Sequence, residues 1–147
     1  MIRRRAAIWI AVIGLLLAPP GQAADSLVIV VRADSPIKSL SNLDLKKIYL
    51  GIAVRMDDET IRGVRNVSDE LLDRIFLQNI VAMSERTYQR RLLSFTLRYG
   101  RPRPPEISDP EELLERLSAD PYAISYMWKA DAEARKEIRI LRAIWRG

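Results

Sequence analysis

Apolar residues fall along this chain in distinct patterns, and each pattern predicts a different element. Leu27-Val28-Ile29-Val30-Val31 is an unbroken, mostly β-branched run, the mark of a strand covered on both faces. Arg32-Ala33-Asp34-Ser35-Pro36 turns the chain, and Ser41 or Asn42 caps a short helix carrying Leu43, Leu45, Ile48 and Tyr49, stopped by Gly51. Arg55 to Glu59 is polar and reads as a loop, and Thr60 to Arg65 is a short strand candidate. From Leu71 the spacing changes to threes and fours: Leu71, Leu72, Ile75, Phe76 and Ile80 lie on one helix face, with Ser68 as its cap. Ser84 caps a second such helix, with Tyr88, Leu92, Phe95 and Tyr99 on one stripe and Gly100 ending it. Arg101-Pro102-Arg103-Pro104-Pro105 is a stiff, extended connector. Asp109-Pro110-Glu111-Glu112 opens a third helix with a cap, a proline in the first turn and acids at the positive end of the dipole; Leu113, Leu114 and Leu117 follow. Tyr122 to Met127 and Ile138 to Leu141 read as the last strands. Strand first, helices in the middle and strands at the end predict one α/β layer domain. Its core is expected from Val28, Val30, Ile48, Leu72, Phe76, Leu92, Phe95, Leu114, Ile124 and Ile140 around one sheet.

Upstream of this domain the pattern is that of an export leader. Arg3, Arg4 and Arg5 precede an uninterrupted apolar run from Ala6 to Ala18; Pro19 and Pro20 break it, and the small residues Gly21 and Ala23 precede a cut before Ala24. The expected division is a signal peptide over 1–23 and one domain over 24–147. An uncleaved membrane anchor is the competing reading, but the apolar run is short of the ~20 residues a spanning helix needs. Contact with a membrane is expected only through such an uncleaved leader.

Composition narrows the chemistry. The 147 residues contain no His and no Cys, so a zinc site of N/S ligands, a cysteine nucleophile, a Ser-His-Asp triad and a disulfide are all excluded. The leader holds three of the 24 basic residues and no acid, so the remainder carries 21 basic against 19 acidic residues, a net of +2. That balance removes the argument for a nucleic-acid partner. Beyond the leader the glycines are Gly51, Gly63, Gly100 and Gly147, too few and too scattered for a nucleotide-binding loop. Asp57-Asp58-Glu59 is a run of acids on a loop, read as solvated rather than metal-binding, and no cofactor is expected.

Four segments in order carry a resemblance. Val30-Val31-Arg32-Ala33-Asp34-Ser35-Pro36 with Leu40-Ser41 and Leu45-Lys46-Lys47-Ile48-Tyr49-Leu50-Gly51 is the first. Phe76 to Ser84, Phe95 to Pro105, and Asp120-Pro121-Tyr122-Ala123-Ile124-Ser125-Tyr126-Met127 complete it. Together they resemble the single-lobe, phosphate-binding-protein-like family of periplasmic solute-binding domains, related to the substrate-binding component of phosphate ABC transporters. The resemblance implies an α/β fold, one lobe of the type II periplasmic-binding fold, with a mixed sheet flanked by helices. It also implies a periplasmic location and a small anion such as phosphate as ligand, held at a helix N-terminus by an Arg and a Gly-Ser-Gly-Thr type loop.

The matching loop here is Val64-Arg65-Asn66-Val67-Ser68-Asp69-Glu70. Arg65 and Ser68 fall where an Arg and a Ser are wanted, but the spacing is one residue short, both glycines are missing, and Asp69 and Glu70 put carboxylates where an anion would sit. The competing reading is that Ser68-Asp69-Glu70 only caps the helix. Ser35, Ser39 and Ser41 flank the first turn and are further ligand candidates, with turn and cap formation as the alternative. Arg86, Arg90, Arg91, Arg98, Arg101 and Arg103 make the most basic stretch beyond the leader, either a solvated face or a docking surface for an acidic partner or anionic headgroups. The expectation is therefore an exported, non-catalytic solute-binding-like domain with a degenerate anion site. The alternative is an envelope interaction or sensory module that uses the same lobe to contact a protein partner.

Overall fold

The computed structural model describes residues 25–147; the leader expected over 1–23 lies outside the described residues. Strand β1 (Ser26–Arg32) is the middle of the main sheet. It pairs antiparallel with β7 (Ala123–Trp128) on one side and with β8 (Ile138–Arg146) on the other, while β4 (Arg62–Gly63) lies parallel to β7 at the sheet edge. The order is β4-β7-β1-β8, a mixed sheet.

The unbroken apolar run of β1 follows from what covers it. Leu27, Ile29 and Val31 face one core, built with α1 (Asn42–Tyr49), α2 (Glu70–Phe76), the π-helical turn Leu77–Val81 and α3 (Glu85–Tyr99). Val28 and Val30 face a second core with Leu113, Leu114 and Leu117 of α4 (Pro110–Ala119) and Ala132 of α5 (Lys129–Glu133). A strand with helices on both sides needs apolar residues at every position, because its period of two divides them between two cores. Of the ten expected core residues eight are buried; Phe95 and Ile140 are only half-buried.

Most helix signals act as read. Ser41 caps α1 in a reciprocal box with Asp44, Ser84 caps α3, Asp109 caps α4 with proline at its start, and Gly100 ends α3 with a left-handed φ of 66°. Several expectations are corrected. Ser68 is not the cap of α2; Asp69 is, its side chain accepting from the Leu72 N–H. Arg55 to Glu59 is not an open loop but most of a tight hairpin, β2 (Arg55–Met56) to β3 (Glu59–Thr60), in which Asp57 and Asp58 both take positive φ. Two such residues are what a type I′ turn requires. Leu43, Leu71 and Tyr99 are exposed, at helix positions that face away from both cores.

The strand after the hairpin breaks in two: β4 stays in the main sheet, and β5 (Arg65–Asn66) pairs in parallel with β6 (Glu106–Ile107). Strand β8 runs five residues beyond the expected Leu141, to Arg146. Its arginines hid that extent by interrupting the apolar pattern. Arg139 donates to the carbonyls of Ser35 and Ile37, and Arg142 to that of Leu40, so both charges pin the β1–α1 connection. No helix among the described residues is long and apolar enough to cross a membrane.

Candidate functional site

The loop between β5 and α2 is held from below. Asn66 is buried and donates through Nδ2 to the Tyr126 carbonyl at 2.9 Å, while its Oδ1 accepts from the Ser68 N–H at 3.1 Å and the Ser68 hydroxyl at 2.6 Å. Ser68 thus folds back on Asn66, and the turn it forms delivers Asp69 to the capping position. The side chain at the mouth of α2 is consequently a carboxylate.

Arg65 is 3% exposed, so its guanidinium lies inside the protein. It is enclosed by three acids from three elements. Nε and Nη2 donate to Asp73 at 2.7–3.0 Å, Nη2 and Nη1 to Glu85 at 2.6 and 3.3 Å, and Nη1 to Glu106 at 3.0 Å. The planar group lies over the rings of Phe76 and Tyr88, 5.3 and 5.2 Å from their centroids. Burial opposes its charge, but the hydrogen bonds to Glu85 and Asp73 outweigh that and raise its pKa further. In return the Arg65 hydrogen bond holds the Glu85 carboxyl below the usual range, with Gln89 adding a second donor. Formal charge over Arg65 and its three partners is net negative, before Asp69 and Glu70 are added.

Beneath the guanidinium lies an aromatic cluster. Phe76 stacks on Tyr126 at 4.7 Å and meets Tyr49 and Tyr88 edge-on, and the Tyr88 hydroxyl donates to the Tyr49 carbonyl at 2.6 Å. Arg65 therefore joins β5, α2, α3 and β6 over the core. That is an architectural task, and it takes up every nitrogen of the guanidinium.

The serine candidates lie elsewhere. Strands β1 and β7 are antiparallel, whereas β4 and β7 are parallel. The turn after β1 consequently leaves one end of the sheet and the loop after β5 the other. Ser35 is buried, donates to the Pro121 carbonyl at 2.6 Å and accepts from the Ile37 N–H at 3.2 Å. Ser41 is occupied by its capping box, and Ser39 is exposed between them. The structure brings Arg65 and Ser68 onto one loop but does not bring Ser35, Ser39 or Ser41 to them. Sequence reading missed Asp73, Glu85 and Glu106, which stand 8, 20 and 41 residues from Arg65. Nothing local marks any of the three, because Arg65 lies on β5 and they arrive from α2, α3 and β6.

The described chain has the architecture of one lobe of the type II periplasmic-binding fold, a mixed sheet with helices on both faces. Solved structures share it. An ABC-type phosphate transport receptor from Vibrio cholerae is 16% identical with a TM-score of 0.57, over 82% of this chain and 46% of that one. PstS from Borrelia burgdorferi is 21% identical with a TM-score of 0.54, over 81% of this chain and 47% of that one. A phosphate ABC transporter substrate-binding protein from Clostridium perfringens, solved with bound phosphate, is 17% identical with a TM-score of 0.58, over 82% and 45%. At these identities the likeness is one of fold, and the chain spans less than half the length of these proteins. No protein-family model matches the sequence, and no curated protein matches it.

Proposed function

We propose that this is an exported, non-catalytic, solute-binding-like domain in which the anion position of the fold is degenerate. The observation that carries the reading is the state of Arg65: its donors face Asp73, Glu85 and Glu106 rather than the loop mouth. An oxyanion at the start of α2 would meet the Asp69 carboxylate and a net-negative cluster. Dehydrating a phosphate requires several converging donors, and this loop supplies backbone amides alone. The likeness in fold to phosphate transport receptors supports a transport-receptor ancestry; the three-part leader supports export with cleavage before Ala24 and a periplasmic location.

Calorimetric titration of the purified protein with phosphate and with sulfate tests this. Binding of phosphate is expected to be weaker than about 100 μM, where a dissociation constant of about 1 μM would need about −8.2 kcal/mol. Micromolar binding abolished by Arg65→Lys in a variant that remains folded would overturn the degenerate-site reading. A second reading, an envelope interaction module, is favoured by α3, where Leu93 and Leu97 are 53% and 78% exposed among arginines. Its outcome is capture of a defined envelope protein that Leu93→Ser/Leu97→Ser releases.

A further inference from the structure

Five arginines converge on one groove whose lining does not include Arg65 or the β5–α2 loop. The groove has a volume of about 670 Å³ and lies at the N-terminal ends of β4 and β7, lined by Arg62, Gly63 and Ala123. Arg55 and Arg62 come from the hairpin side, Arg101 and Arg103 from the proline connector, and Arg116 from the last turn of α4. Asp120 is the sole acid among the lining residues, and Arg62 already holds it through two hydrogen bonds, of 2.5 and 2.8 Å. Arg55, Arg101, Arg103 and Arg116 are exposed and make no ion pair among the described residues. Between these charges the surface is apolar, with Ile52, Ala53, Pro102 and Pro104 exposing carbon.

Helix ends account for part of this. α1, α3 and α4 all terminate beside the groove, and arginines complement the negative end of a helix dipole. Arg101 does so by donating to the Gly51 carbonyl after α1, and Arg62 by pairing with Asp120, the C-cap of α4. Arg55 and Arg103 stand outside that account. Arg55 donates to the backbone of its own hairpin, a neutral acceptor, and Arg103 to the side-chain amide of Gln89, through which it stands near the Glu85 carboxylate without an ion pair of its own.

We propose that this groove binds a small organic polyanion, with carboxylate or phosphate groups set on an apolar frame. Positive charge on separate walls calls for anionic groups at more than one point, and the proline and isoleucine surface between them calls for a carbon body. The volume lies within the roughly 300–1,000 Å³ of small-molecule sites and exceeds what one inorganic phosphate fills. Guanidinium groups suit planar oxyanions, which they meet through two parallel hydrogen bonds. The proposal does not rest on the Arg65 loop, since neither Arg65 nor residues 66–70 line the groove.

The probe is pyromellitate, a flat benzene ring with four carboxylates, titrated calorimetrically at low salt against inorganic phosphate. Saturable binding is expected, tighter than phosphate by at least about tenfold and weakened by raised salt. Arg101→Gln/Arg116→Gln is expected to weaken it by at least about tenfold, and Arg86→Gln/Arg90→Gln, which removes the same charge from the outward face of α3, by less than about twofold. Amide chemical-shift changes at Ile61, Gly63 and Ala123 of the unaltered protein locate the site without recourse to variants. Absence of saturable binding, equal loss in both double variants, or shift changes confined to the Ser68 loop would each overturn the proposal.

Discussion

A guanidinium laid over two aromatic rings and gripped by three carboxylates is part of the core in all but name. Phe76 is the plate beneath it, fully buried and in contact with three tyrosine rings. Phe76→Ala is expected to lower stability by roughly 3–5 kcal/mol in a urea melt, as emptied aromatic core positions do. A loss below about 1 kcal/mol would mean that the cluster closes around the gap. The ion pairs give a pH signature. The pKa of Glu85 is lowered from its ordinary value of 4.5, chiefly by the Arg65 hydrogen bond. Its contribution is therefore complete above the unfolded value and lost as pH falls through the lower folded one. Asp120 behaves alike through Arg62. The urea midpoint is thus expected to be flat near neutrality and to fall below about pH 4.5, and Glu85→Gln to shrink the fall. A midpoint that rises on acidification would contradict both pairs.

At the scale of elements, most of the helix grammar is local. Ser41, Ser84, Asp109 and Gly100 each do what their position in the sequence announces, because a cap needs only its own next turn. The start of α2 is the exception. Ser68 and Asp69 are both competent caps, and the choice between them is made by buried Asn66, which takes the Ser68 hydroxyl and is itself fixed by the Tyr126 carbonyl 60 residues away. Asp69→Ala is accordingly expected to cost about 0.5–2 kcal/mol in a denaturant melt, more than Ser68→Ala. The reverse order would restore Ser68 as the cap. Gly63 belongs to this scale as well. A Cβ there would come within 2.9 Å of Ile48 and 3.0 Å of Tyr49, so α1 packs on β4 at a distance only glycine permits.

Over the whole molecule, charge is gathered into an acidic and a basic patch that adjoin at Gln89, between Glu85 and Arg103. Asp69, Asp73, Glu85 and Glu106 gather beyond the C-terminal end of β5, and the arginine groove opens at the N-terminal ends of β4 and β7. The net of only +2 beyond the leader hides this grouping. The fold neighbours carry roughly twice the chain, and the lobe seen here holds two complete cores of its own. The exported form is expected to begin at Ala24, as read by N-terminal sequencing of the fractionated protein. Met1 on a membrane-bound species would instead establish an anchor.

The sequence by itself determined the layers. The run Leu27 to Val31 states that helices cover both faces of the first strand, and the spacing of Leu72, Phe76, Tyr88 and Leu92 states which faces those helices bury. Periodicity is a local property, and burial enforces it residue by residue. Which polar groups meet was decided only by tertiary structure. Arg65 looks in sequence like a ligand-binding arginine, and the acids that claim it arrive from α2, α3 and β6; the arginines of the groove arrive from the hairpin, the connector and α4. Charged side chains are long, and their pairing follows the crossing of elements rather than spacing along the chain. Nothing in the local pattern around Arg65 could therefore reveal that its charge is already held.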